Sequence, residues 1–543
     1  MNPALLLEVP DVPDATAAEL VSHAALRAAG LSDQAEPIGA LSVWCATART
    51  AIVTAIGIVA AGVMAGGLTG CADMSGIAPH AQIRDAASFG IPAANQQATA
   101  AGASAAAADF RAINTDWWRA YGDEQLNQLV AQALQTSPNL KLAEARLARA
   151  QAVTEVANAA TLPQVTGAVD LTHQRYTANG AVPAPLAGSI KDTGTAQLSA
   201  SWELDFFGKN RAALDAALGS AQAAEADTQA ARVLLASNVA RSYFQLARLN
   251  EQADVARRTL AQRDETLRLV QDRVTAGLDT RLELRQSEGG LPEARLQLET
   301  LNEQIALARN ALGALVGQPG AAATLRPNAM STFNLTGLQG VPAVIPADLL
   351  GRRADIAAAR WRVEASSKDV ANAKTQFYPN INLVAFAGFS SIGLGRLVDS
   401  GSQQWGVGPA LRLPIFDAGR LRANLRGKTA DLDAAVESYN AAVLDAVRDV
   451  ADQVASSQAI ARQQTEQRAA QDAAEGAYDI AVQRYKAGLG TYLNVLTAET
   501  SVLAQRRQAV DLAARALDTQ VSLVRALGGG YAPAADTATL AAR

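Results

Sequence analysis

The chain has 543 residues, of which 49% are hydrophobic, 5% aromatic and 18% charged. Its 52 acidic and 47 basic residues leave a formal net charge of −5, which argues against a general nucleic-acid binder. Two cysteines (Cys45, Cys71) and three histidines (His23, His80, His173) are too few for a disulfide scaffold, a Cys-rich zinc site or a multi-histidine metal cluster.

The first recognisable segment is an uncharged run from Thr50 to Ala72, bounded by Arg49 and Asp73. Its length would suit a transmembrane helix. It also suits a secretory signal ending in small residues, and Leu68-Thr69-Gly70-Cys71 resembles a bacterial lipobox. That resemblance implies cleavage before Cys71, a lipid on its thiol and new N-terminus, and a mature chain of 543 − 70 = 473 residues. Ala72 at the following position fits sorting to the outer membrane. Residues 1–48 do not look like a signal n-region, and a start at Val43 would account for them. Residues 71–109 are rich in Ala, Gln, Gly and Ser without periodicity and read as a flexible tether.

The body contains one unit twice. Val156-Ala157-Asn158-Ala159 recurs as Val370-Ala371-Asn372-Ala373, and Thr161 as Thr375. Leu162-Pro163 parallels Tyr378-Pro379, and Leu204 to Phe207 with Arg211 parallels Leu413 to Phe416 with Arg420. Arg273 to Thr280 parallels Arg484 to Thr491, and Ala314-Leu315 parallels Ala526-Leu527. All keep their order at offsets of 209 to 216, too long for a solenoid period, so the chain is a duplicated half. The divisions are 110–318 for the first repeat, 319–344 for a linker, 345–530 for the second repeat and 531–543 for a tail.

Each repeat reads as helix, strand pair, long helix, turn, helix. Arg211 to Ala276 holds no proline, nor does Arg420 to Ala487. Helices over those spans would reach about 100 Å and need lateral partners. Leu246, Ala253, Leu260, Leu267 and Val274 repeat by seven, with Leu249, Ala256 and Val270 at the alternate position, which Arg263 interrupts. Leu496, Leu503, Val510, Leu517 and Val524 form a second such series. Heptads alone would equally describe an elongated coiled-coil spacer.

The strand segments decide against that. They cover about 162–173 and 195–205 in the first repeat, and 379–389 and 405–415 in the second. About ten residues suffice for a tilted strand to cross a bilayer. Ile381, Leu383, Ala385, Ala387 and Phe389 share one face, with Asn380, Asn382 and Gly388 on the other beside Val384 and Phe386. Trp202, Phe206, Phe207, Trp405 and Phe416 lie near strand ends, as interfacial aromatics do. Four strands cannot close a barrel and open edges are not tolerated in lipid, so several chains must share one; three give twelve strands.

Several stretches carry a family resemblance: Asp116-Trp117-Trp118, Trp202 to Lys209, Ile345 to Ile356, Leu411 to Arg420, and the turns Ala276-Gly277-Leu278 and Ala487-Gly488-Leu489. In these the chain resembles the outer-membrane efflux proteins, the TolC-like channels, and most of all the lipoprotein branch serving resistance–nodulation–division pumps. Ala354 departs from the family, which usually has proline there. The resemblance implies a mainly helical homotrimer with a 12-stranded transmembrane β-barrel in the outer membrane and a 12-helix tunnel in the periplasm. It implies a passive, gated exit duct for small molecules, fed by a proton-driven inner-membrane pump through a periplasmic adaptor. A protein-secretion channel of the same family and a periplasmic coiled-coil adaptor are the alternatives.

The resemblance also assigns residues. Adaptor contact falls on Ala276, Gly277, Leu278, Ala487, Gly488 and Leu489. The gate falls on the segment holding Leu493, Asn494, Thr497 and Thr500, where Asn494 and Thr497 replace the usual aspartates and remove an acidic ring. Glu283 and Tyr485 are expected to bond to each other and latch the closed state. No enzyme motif competes: Gly427-Lys428-Thr429 looks like the end of a P-loop, but Arg422 stands where its first glycine belongs. No cofactor is expected beyond a covalent lipid on Cys71, and no nucleic acid.

Overall fold

A computed structural model describes residues 74–84, 88, 113–333 and 352–531. Cys71 and the signal-like run, the first seven residues of the 345–356 motif and nearly all of the tail lie outside these described residues.

A 3-10 turn at Trp117–Tyr121 precedes α1 (Glu124–Thr136) and α2 (Pro138–Ala159). Strands β1 (Gln164–Arg175) and β2 (Ile190–Leu204) follow, then α3 (Lys209–Thr275) and α4 (Arg281–Val316). The second repeat is α5 (Ala354–Thr375), β3 (Asn380–Ile392), β4 (Gln403–Arg412), α6 (Arg420–Lys486) and α7 (Tyr492–Ala526). Both α3 and α6 are 67 residues long, about 100 Å. Each starts after a left-handed glycine, Gly208 or Gly419. An upstream aspartate accepts from its first turn: Asp205 Oδ2 from Arg211 N at 2.8 Å, Asp417 Oδ2 from Leu421 N at 2.9 Å. Both copies of the sequence landmark thus lie at the start of a long helix.

The long helices find the lateral partners their length requires: α3 packs on α2, α4, α5 and α7, and α6 on α5 and α7. A Cβ on Gly219 would sit 3.2 Å from Ala365, so this glycine sets the close approach of α3 to α5. Leu246, Leu249, Ala253 and Ala256 of the α3 heptads are buried in the largest core, with Trp118, Tyr121, Phe244 and Phe333. Arg263, which breaks the series, faces carboxylates instead.

The four strands form one antiparallel sheet in the order β1-β2-β3-β4. β2 begins five residues before the expected 195 because pairing continues to Arg175↔Ile190, past an exposed His173–Asp192 contact of 2.6 Å. The registers put Val165, Val169, Leu198, Trp202, Leu383, Phe389, Trp405, Val407 and Leu411 on one face. Thr166, Asp170, Thr195, Gln197, Ser199, Asn382 and Gln404 lie on the other. Polar side chains bond across strands on that second face, with Gln404 Nε2 donating to Gln197 Oε1 at 2.9 Å. Phe386 shares it, its ring filling the space a Cβ on Gly406 would need. Within the chain, β1 and β4 each keep one edge unpaired.

One expectation needs correction. The tether expected over residues 71–109 is held in place along 74–84. Asp433 Oδ1 on α6 accepts from His80 N at 2.8 Å and Ala81 N at 2.9 Å. The Asn440 amide, one heptad later, donates to Gln82 O at 3.0 Å and accepts from Arg84 N at 3.1 Å. Met74 and Ile77 pack against the Phe377, Leu421 and Leu425 cluster. Among the described residues, no helix is long and apolar enough to cross a membrane.

Candidate functional site: the paired helix turns

The two Ala-Gly-Leu turns close in the same way. After α3, Gly277 has φ of +71° and Leu278 N donates to Arg273 O at 2.8 Å. After α6, Gly488 has φ of +74° and Leu489 N donates to Arg484 O at 2.8 Å. This 6→1 bond with a left-handed glycine is the Schellman arrangement, and a Cβ there would be strained. Leu278 is 65% and Leu489 70% exposed, so each turn presents a bare leucine.

Past the turns the repeats diverge. Thr280 caps α4: its hydroxyl accepts from Leu282 N at 3.1 Å, and the Glu283 carboxylate accepts from Thr280 N at 2.9 Å, completing a capping box. Hydrogen bonds from the Thr280 hydroxyl and the backbone hold the Glu283 carboxyl below the usual carboxylate range. At the equivalent place after Thr491 stands Asn494, and no side chain caps α7.

Glu283 and Tyr485 therefore do not bond to each other. The Tyr485 hydroxyl donates to Asp279, which lies 206 residues away in the other repeat. Arg273 holds the same carboxylate in a fork, Nε to Oδ2 at 2.9 Å and Nη2 to Oδ1 at 3.3 Å, and its guanidinium lies 4.5 Å from the Tyr485 ring centre. Burial opposes the Asp279 charge, but the bonds from Arg273 and Tyr485 outweigh it and hold the carboxyl below its usual range. Burial first, then the bond to Asp279, pushes the Tyr485 phenol up, so it stays protonated and donating. Below this network Tyr485, Tyr492, Val270 and Val495 share a small core that joins the two hairpins.

Leu493, Asn494, Thr497 and Thr500 fall together on one exposed face of α7, opposite buried Tyr492, Val495 and Glu499. The Thr497 and Thr500 hydroxyls donate to the carbonyls of Leu493 and Leu496, both at 2.9 Å, leaving the face uncharged. One turn higher, Arg263 of α3 crosses to two other helices. Its Nε donates to Glu499 Oε1 at 2.9 Å, and its Nη1 to Gly290 O at 2.8 Å and Glu293 Oε2 at 3.0 Å. Burial works against the Arg263 charge, and the two glutamates hold it on. The sequence signalled Arg263 by its break in the heptads; Asp279 left no such mark. Among the described residues, no group of three or more His, Cys, Asp and Glu could hold a metal ion.

The pattern of the family described as outer membrane efflux protein matches residues 129–318 and 345–529, one block per repeat. The fusaric acid resistance protein FusA of Burkholderia cepacia is 38% identical over 66% of this chain and 66% of its own length. The putative multidrug resistance outer membrane protein MdtQ of Escherichia coli K12 is 32% identical over 84% of this chain and 96% of its own. The crystal structure of the outer membrane protein VceC from Vibrio cholerae superposes with a TM-score of 0.73 at 38% identity, covering 77% of this chain and all of that one. With the family pattern in both repeats and the same fold in a relative, the chain belongs to the outer membrane efflux protein family and is an outer-membrane efflux channel.

Proposed function

We propose that three copies of the chain form a passive, gated exit duct which carries out no chemistry of its own. The observation behind this is the sheet: one continuous apolar face, one polar face and two unpaired edges. Such edges are costly in lipid, and three four-stranded sheets joined edge to edge remove them. The apolar face then meets lipid and the polar face lines the lumen. Phe416, 89% exposed, and Phe206 mark the periplasmic interface.

The helix turns form the periplasmic end. Leu278 and Leu489, with Ala276, Gly277, Ala487 and Gly488 around them, receive the adaptor, behind which stands the proton-driven pump. Leu493, Asn494, Thr497 and Thr500 line the constriction as a neutral ring, and Tyr485 with Asp279 and Arg273 ties the two hairpins of one protomer in the closed state. Glu283 takes part by capping α4.

Cys71 carries the lipid. It is three residues from Met74, a reach of about 11 Å at most, and Met74 packs beside Phe377 at the foot of the sheet. A lipid on Cys71 thus falls within reach of the inner leaflet.

Purified full-length protein tests the reading by native mass in detergent, N-terminal peptide mapping and conductance in planar bilayers. A trimer beginning at acylated Cys71 that conducts is the expected result. A monomer that retains residues 1–70 and does not conduct refutes it.

A further inference from the structure

The polar face of the sheet carries four ionisable residues: Asp170, Lys191, Glu203 and Arg412. They are not equivalent. Glu203 is neutralised by Lys209 at 2.7 Å. Asp170, opposite Thr195, lies midway along the sheet, and Lys191, opposite Gln174, lies at the end away from the helices. Arg412 ends β4 on the helix side, paired in register with Asn380. It is exposed, and its guanidinium has no ion pair among the described residues. Closing the barrel sets β4 beside β1 of the next copy. The helix-side half of β1 offers Gln164, Thr166 and Ala168 on the polar face, none of them acidic.

We propose that three Arg412 side chains form a cationic collar where the helical tunnel opens into the barrel, and that the collar selects for small organic anions such as carboxylates and phosphates. This rests on the trimeric duct reading above. Twelve strands about 4.8 Å apart, tilted about 40°, close on a backbone diameter of about 24 Å. Arginines pointing inward from that wall come within roughly one Debye length of the axis, about 8 Å at 0.15 M salt. The field therefore spans the bore. At the far end of the tunnel Asn494 and Thr497 are neutral, Asp279 is held by Arg273, and Glu283 by the α4 cap.

The test is the reversal potential of the reconstituted full-length channel across a potassium chloride gradient, then with benzoate in place of chloride. The wild type is expected to favour the anion over potassium in both salts. Arg412→Gln should lower the anion-to-cation permeability ratio about threefold at 0.05 M salt and much less at 1 M, where screening removes the field. Arg412→Lys should keep the ratio and Arg412→Glu invert it. A conducting Arg412→Gln trimer with the wild-type ratio at low salt overturns the collar and leaves the duct intact. Absence of conductance in the wild type overturns the duct, and the collar with it.

Discussion

Ala354 is the first residue of α5, and Arg353 before it has φ −84° and ψ 131°. That extended backbone is what a following proline requires. The first-turn N–H that a proline would lose has no helical partner in any case. Ala354→Pro should therefore stabilise the protein by about 0.4–1 kcal/mol through the unfolded chain, read as a higher unfolding midpoint. A lower midpoint would show that the buried site has no room for the ring. Asp279 gives a pH dependence of known sign. Its folded pKa is depressed, so its contribution is present above the unfolded value, about 3.9, and fades as pH falls through the folded value. Acidification below about pH 4 should then loosen the hairpin contact and raise channel conductance. Tyr485→Phe removes one of the bonds that depress this carboxyl. The loss should then be complete at a higher pH and be smaller in total; an unchanged pH profile would remove Tyr485 from the latch.

Among the elements, α3, α4 and α7 meet at Arg263. The Arg263 and Glu499 side chains are 13% and 8% exposed, so an unmatched charge there is costly. Glu499→Leu alone should destabilise by roughly 3 kcal/mol, and the Arg263→Met/Glu499→Leu pair should recover most of it. A double-mutant cycle in denaturant checks this, and additive losses would mean the two side chains are not coupled. Much of this level was legible in the sequence. Proline-free spans, heptads and the repeat offsets located both long helices to within two residues, because those signals are local and periodic. The strands were found with looser ends, since a strand stops where its partner does: β2 runs on to Ile190 only because β1 runs to Arg175. Tyr485 was expected to bond Glu283 and bonds Asp279 instead. Alignment of the repeats equates positions, whereas the Thr280 cap claims Glu283 and leaves the phenol to Asp279. The held segment 74–84 was illegible for a similar reason. It has no periodicity of its own, and its seat is built by side chains of α6.

For the whole molecule, that seat joins residues 74–84 to the second repeat. Asp433→Ala with Asn440→Ala removes four hydrogen bonds to the segment. At about 1 kcal/mol each, trypsin should cut after Arg84 at least roughly tenfold faster in that variant, with the trimer retained. Equal cutting rates would mean that Met74 and Ile77 suffice to hold it.

The same bonds span 352 to 358 residues of sequence. A chain exported from its N-terminus therefore delivers this segment first and its binding groove only after about half of the second repeat has followed. Until then the segment lacks the side chains that hold it. Its settling onto α6 requires both ends of that span, so protection of Arg84 from protease offers a timer for folding during export.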